Sequence, residues 1–232
     1  MEPRQANLLS LIIDDYIKTA EPVGSKYLVE TYHLDISSAT VRNEMSLLEE
    51  EGYLRHAHTS SGRIPTEKAY QYYLKHIVDA PQIVSSEQTL GEEMPHESNK
   101  EVALRAIAKR LVQISGETAL LAFDQNSSHV TGVSNLFLKP EFQDSAALGE
   151  LVDQFDSVMS DLFDRASTKP QVFIGSHNPF GDQMTTIIVR YDFPNTEGGI
   201  LGLVGPMRMD YARNLALLAA AQKIIQEFNE EE

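Results

Sequence analysis

The stretch SSATVRNEMSLL, which begins at Ser37, holds the residues of this chain best suited to chemistry on another macromolecule. Val41, Met45 and Leu48 recur at helical spacing and must face a core. At 100° per residue the opposite side carries Ala39, Asn43 and Ser46, with Arg42 and Ser38 at its flank, and Ser38 and Thr40 are expected to position the helix. That surface suits the reading of DNA bases. Small side chains let a helix approach closely, arginine pairs bidentately with guanine, and asparagine does the same with adenine. Two neighbouring segments could add contacts to the backbone. Thr59, Ser60, Ser61 and Gly62 make a narrow turn, and Arg63 follows where a side chain can reach phosphate or minor groove. Arg55, His56 and His58 add possible positive charge to the same segment, and Lys26 is an expected phosphate contact. A plainer reading exists: serines before a helix often only cap it, and Arg42 and Asn43 could be an ordinary solvated face. The surrounding elements decide between the two.

Those elements are legible. Pro3 suits the start of a helix on which Leu8, Leu11, Ile12 and Tyr16 recur, ending near Thr19 because Pro22 disfavours helical geometry before it. A short second helix follows Gly24 and Ser25, with Tyr27, Leu28 and Tyr32 as its apolar side. HLDIS is a brief connection, Ser37 or Ser38 caps the third helix, and Gly52 stops it. YLRHAHTSSGRIPT then reads as a small hairpin, and TEKAYQYYLKHIV as a closing helix with Ala69, Tyr72, Tyr73 and Ile77 inward. Three helices followed by a hairpin are the layout of a winged helix-turn-helix. In such units the second helix of the pair enters the major groove.

From Asp79 to Ser98 the sequence turns acidic, is broken by Pro81, Gly91 and Pro95, and reads as a linker. NKEVALRAIAKRLVQISG is a helix with Val102, Ile107, Leu111 and Ile114 as expected core contacts. Beyond it, TALLAFD, HVTGVSNLF, QVFIGS, TTIIVRYDF and GILGLVGP are strand candidates. EFQDSAALGELVDQFDSVMSDLF and YARNLALLAAAQKIIQEF are amphipathic helices. Strands flanked by packed helices indicate an α/β or α+β sensor-like domain.

The net charge of −15 bears on the DNA reading only once it is divided. Residues 1–78 carry 8 Lys/Arg against 11 Asp/Glu, a net of −3, and residues 79–232 carry the remaining −12. The acidity therefore sits mainly behind Val78, and what matters for phosphate contact is the local face. The chain has no cysteine, which rules out disulfides and thiolate metal sites. No run of about 18 apolar residues and no signal-peptide pattern are present, so a cytoplasmic protein without membrane association is expected.

Other motifs carry less. His56 and His58 share a strand face but lack a third ligand, so no metal is expected. GGILGLVGP lacks the spacing of a dinucleotide fingerprint and reads as a buried strand ending at Gly205–Pro206. His177 and Asp182 lie in a loop without a nucleophile partner; His177 and Asn178 read as loop-shaping residues, and no catalytic site or cofactor is expected. Arg208, Asp210 and Arg213 are an expected ion-pair knot before the last helix.

EPVGSKYL, LDISSATVRNEMSLLEEEGYL and HTSSGRIPTEKAYQYYL closely resemble the N-terminal winged helix of the HrcA family of heat-inducible transcription repressors. GVSNLFLKPEFQD, HNPF and GILGLVGPMRMDYARNLALL resemble that family's C-terminal GAF-like region. The resemblance implies an α+β chain in three parts: a winged helix-turn-helix over 1–78, an acidic linker over 79–98, and a GAF-like α/β sensor domain over 99–232. It implies a repressor of chaperone operons that binds an inverted-repeat operator, the CIRCE element, in double-stranded DNA as a homodimer. It also implies dependence on a GroEL-type chaperonin, whose unfolded clients release repression. The matching DNA-contact positions are Ser38 to Asn43 and the wing around Arg63. The family carries an insertion between the early strands of its GAF-like region that helps dimerisation, whereas ETALLAFDQ here passes almost at once into NSSHVTGVSNLF. Dimerisation then falls to the Asn99–Ser115 helix, the C-terminal helix or a sheet edge. Two other readings are a regulator whose GAF-like domain senses a small effector, and an enzyme whose winged helix only docks proteins.

Overall fold

Helix α1 (Pro3–Thr19) begins where a proline needs no hydrogen-bond partner for its missing N–H. Glu2 and Gln5 cap it reciprocally, and Ala20 closes it in the left-handed conformation two residues before Pro22. In this computed structural model, residues 1–57, 62–76, 90, 99–125, 127–142, 147–192 and 198–230 are described. Thr59 and Ser60 of the expected wing tip, with His58, Ser61, Ile77 and all of the expected linker but Leu90, lie outside them. The chain divides into two compact units, Met1–Val78 and Asp79–Glu232.

In the first unit α1 buries Leu8, Leu9, Ile12 and Ile13, while Leu11 and Tyr16 stay half-exposed. The inward stripe is therefore turned from the one that spacing suggests. Helices α2 (Ser25–Tyr32) and α3 (Ser38–Glu50) follow, and the Ser37 hydroxyl caps α3 by accepting the Thr40 amide at 3.1 Å. Val41, Met45 and Leu48 are buried, as their period demands. Strands β1 (Leu54–His56) and β2 (Arg63–Pro65) pair antiparallel, and Val23 bridges to Arg63 on the other side of β2. Gly62 sits so close to this bridge that a Cβ there would lie 2.8 Å from the Pro22 backbone, which is why the hairpin needs glycine. Helix α4 (Glu67–His76) closes the unit with Ala69, Tyr70 and Tyr73 inward, and Tyr72 only half-buried.

Two aspartates on α1 hold its neighbours. Asp15 accepts from the Tyr27 hydroxyl at 2.8 Å and the Tyr32 hydroxyl at 3.5 Å, and Asp14 accepts from Tyr73 at 2.5 Å. Tyr27 is thus largely exposed, not part of the apolar side of α2, and its ring serves to carry a hydroxyl back to α1.

The second unit is built on five antiparallel strands: β3 (Thr118–Ala122), β4 (Ser128–Thr131), β5 (Gln171–Ile174), β6 (Met184–Tyr191) and β7 (Gly199–Pro206). Their spatial order is β4-β3-β7-β6-β5. All five strand candidates are strands, but SNLF of the second leaves the sheet as the helical turn α6 (Ser134–Phe137) after Gly132 at φ 81°. Helix α5 (Lys100–Ser115) is capped at its start by Asn99 and closed by Gly116. It buries Ala103, Leu104, Ile107, Ala108 and Leu111; Val102 is exposed and Ile114 half-buried, contrary to the expected contacts.

Alternation along the strands separates two layers. Leu120, Ile188, Ile200 and Val204 face one side and meet Val158, Met159, Leu162 and Phe163 of α7 (Ala147–Arg165), with Phe142 and Phe180 closing the layer. Helices α5 and α8 (Tyr211–Glu230) pack on the other side and against each other. β7 is buried along its whole length, as expected for GGILGLVGP. Asn178 shapes its loop as expected: its side-chain amide donates to the Phe173 carbonyl and to Thr186, and its oxygen accepts from Phe180 N–H.

The expected knot of Arg208, Asp210 and Arg213 is differently wired. Arg208 grips Glu141 through two nitrogens, while Asp210 accepts the Arg213 amide at 3.1 Å, in the manner of a helix cap. The sequence grouping failed because the acid nearest in space is 67 residues away. Beside this pair, Glu117 is buried at the head of β3 with Lys139 Nζ at 3.1 Å from its Oε1. A Cβ on Gly205 would lie 2.2 Å from the other carboxylate oxygen, so glycine there makes room for the acid. Burial pushes the Glu117 carboxyl up to about 7, against the pull of Lys139 and Arg208 and with Glu141 adding to the rise. The folded state then binds a proton more tightly than the unfolded chain does. Its contribution to stability is full below the ordinary glutamate range near 4.5 and is lost as pH rises through about 7. Urea unfolding of the second unit between pH 4.5 and 8 should show this fall, and Glu117→Gln should flatten it.

Candidate nucleic-acid interface

The outward side of α3 is assembled by what surrounds it. With Val41, Glu44, Met45 and Leu48 buried, Ser38, Ala39, Arg42 and Asn43 are exposed, and Thr40 and Ser46 are partly so. The Ser37 and Thr40 hydroxyls lie 2.9 Å apart at the helix start, and the Ser46 hydroxyl donates to the Arg42 carbonyl at 3.1 Å. The Arg42 guanidinium makes no ion pair among the described residues. Two of the acids of this helix are turned away from that face, while Glu50 stays exposed near its C-terminal end. Glu44 points inward and pairs with Arg4 of α1, and Glu49 pairs with β2. A helix with four glutamates from Glu44 to Glu51 in and beside it thereby presents a cation and an amide outward at its N-terminal half.

The hairpin differs from the expectation at one residue. Arg63 is buried, its side chain only 11% exposed. Its Nε donates to Glu49 Oε2 at 2.8 Å and its Nη1 to His56 Nδ1 at 2.9 Å. A guanidinium has only donors, so the His56 Nδ1 is the acceptor, and His56 Nε2 faces Glu49 at 3.5 Å. Arg63 is therefore a brace between β2 and the end of α3, not an outstretched phosphate contact. The outward cation of the hairpin is Arg55, exposed on β1 and without an ion pair among the described residues. Strand alternation already put Arg55 and His56 on opposite sides, but not which of them faced out with a free head group. Lys26 is exposed in the first turn of α2, with Glu30 at 3.7 Å one turn on. Among the described residues no group of three or more His, Asp and Glu is arranged to hold a metal ion, and no helix is long and apolar enough to cross a membrane.

The architecture is that of a two-unit α+β protein, helices with a small hairpin followed by an antiparallel sheet between helical layers. A crystal structure described as a hypothetical protein at 2.2 Å resolution has this same fold: TM-score 0.85 at 16% identity, over 100% of this chain and 99% of that one. The family model "HrcA protein C terminal domain" matches residues 67–215, more than half of the chain, and the chain belongs to the HrcA family. A heat-inducible transcription repressor HrcA from Rhodococcus jostii is 39% identical over 123 residues, which are 53% of this chain and 35% of that protein. Its counterpart from Acetivibrio thermocellus is 42% identical over 115 residues, 50% of this chain and 31% of that protein. The matched segment thus spans about a third of the length of these relatives.

Proposed function

We propose that this chain is a sequence-specific DNA-binding repressor of heat-shock chaperone operons, working in the cytoplasm. In this reading the Met1–Val78 unit is a winged helix-turn-helix, and the second unit is a GAF-like domain. The observation that carries it is the outward face of α3, where Arg42 and Asn43 stand exposed side by side while Glu44 and Glu49 are held inward by Arg4 and Arg63. Arg42 and Asn43 read base edges in the major groove; Ser38, Ala39, Thr40 and Ser46 let the helix seat closely; Lys26 and Arg55 hold phosphates. Thr59 and Ser60 belong to the wing tip in the same scheme, and Arg63 fixes the wing against α3. The strand order β4-β3-β7-β6-β5 with helices on both faces supports the GAF-like assignment.

A homodimer on an inverted repeat of the CIRCE type follows from two-fold matching of protein and operator. Its interface involves α5, α8 or an edge strand, β4 or β5. A GroEL-type chaperonin keeps the repressor active. The test is a gel-shift titration of an inverted-repeat promoter duplex against a scrambled duplex, across salt concentrations. Specific binding with a steep negative salt slope is expected, strengthened by added chaperonin. Equal affinity for both duplexes sinks the proposal. A second reading, an effector-sensing regulator, draws on an open, mostly polar groove of about 490 Å³ lined by Asp124, Gln125, Ser127, Ser128 and Ser160, beside Ala122 and Met159. Strengthening by a small polar metabolite in place of the chaperonin would favour it.

A further inference from the structure

On α3 one side chain does not fit a merely solvated face. Leu47 is 46% exposed, more than the terminal Met1 or the tethered Tyr27, and is the large apolar residue most open to solvent among the described residues of the first unit. It lies one helical turn beyond Asn43, which itself lies one turn beyond Ala39, so Ala39, Asn43 and Leu47 form a single row along the outward side. Ser46 and Glu50 flank this row; the buried stripe of Val41, Met45 and Leu48 lies on the other side of the helix.

We infer that Leu47 reads the C5-methyl group of a thymine in the major groove, one such contact in each half-site. This rests on the DNA-binding reading of α3. The major-groove edge of thymine is the one place where a base presents an apolar group, and an apolar side chain in contact with it excludes water from both surfaces. Leu47 stands about 6 Å further along the helix axis than Asn43, which corresponds to about two base steps. The methyl it meets therefore belongs to a thymine within about two base pairs of the base that Asn43 reads. A polar residue at 47 could hydrogen-bond several bases; leucine narrows the choice to one.

The experiment replaces each thymine of the inverted-repeat duplex in turn by deoxyuridine, which lacks only that methyl group. Equilibrium titrations use the full chain as wild type, Leu47→Ala and Leu47→Met, with thermal unfolding and sedimentation as controls on fold and oligomeric state. Wild type should lose about fourfold in affinity per half-site at one position, the worth of one buried methyl group. Leu47→Ala should bind the unmodified duplex more weakly and be indifferent to deoxyuridine at that position. Leu47→Met, apolar and of similar volume, should keep most of the discrimination. The inference is overturned if no position responds in the wild type, if Leu47→Ala responds as the wild type does, or if Leu47→Ala changes only the oligomeric state. Failure of the wild type to prefer the operator over scrambled DNA is a separate result, which removes the DNA reading and this contact with it.

Discussion

Arg42→Ala is expected to abolish operator preference while leaving the protein folded. The side chain is exposed and makes no ion pair among the described residues, so its removal should change the unfolding free energy by less than about 0.5 kcal/mol. A bidentate arginine–guanine contact accounts for about 1–3 kcal/mol of discrimination, and a dimer on an inverted repeat loses it twice. Affinity for the operator should fall by about 100-fold or more, toward the level for scrambled DNA. The residual binding should keep most of its salt dependence, because Lys26 and Arg55, the proposed phosphate contacts, are untouched. Asn43→Ala should behave in the same way at a different base position. If Arg42→Ala binds operator as tightly as the wild type, α3 does not read bases through this residue.

Arg63→Ala is expected to do the reverse: to weaken the fold first and DNA binding as a consequence. Removing the guanidinium leaves Glu49 without its partner at 2.8 Å and His56 Nδ1 without its donor at 2.9 Å, both at the junction of α3 and the hairpin. With His56 mostly open to water and Glu49 half-buried, losing these bonds costs about 1 kcal/mol. In a unit of this size that corresponds to a fall in melting temperature of roughly 4–8 °C for each kcal/mol. Arg63→Lys should recover only part of the loss, since a single ammonium cannot span both partners as the planar fork does. Circular-dichroism melts of wild type, Arg63→Ala and Arg42→Ala separate the two roles. An Arg63→Ala protein with an unchanged melting temperature and a large loss of affinity would falsify the brace and restore Arg63 as a direct DNA contact.

The contrast between these two arginines marks where sequence reasoning runs out. Both were expected to touch DNA, and both stand beside small polar residues in segments with the right punctuation. For Arg42 the neighbours at helical spacing were sufficient, because burying Val41, Met45 and Leu48 leaves one outward side. For Arg63 local pattern was misleading: in a three-residue strand every position is close to an end, and the Val23 bridge covers the side that alternation would leave open. The same limit explains the shifted stripes on α1 and α5. An apolar residue every three or four positions gives the face of a helix to within about one residue, and the neighbours choose which of two adjacent rows turns inward. Arg208 repeats the lesson in the second unit, where its partner Glu141 comes from a distant segment that only the fold brings near.

Read alone, the sequence determined the order of helices and strands, the boundary of α1, the cap and inward stripe of α3, and the outward placement of Arg42 and Asn43. Each of these depends on backbone geometry and side-chain period within a dozen residues, where hydrogen bonding and burial repeat with a known step. Tertiary structure alone decided that Glu44 and Glu49 are drawn off the outward face by Arg4 and Arg63, that Arg55 is the open cation of the hairpin, that Leu47 stays uncovered, and that Glu117 is buried against Lys139. Those outcomes depend on which groups from distant segments arrive within about 3 Å of one another, and charge–charge partnership at that range has no period for a sequence to display.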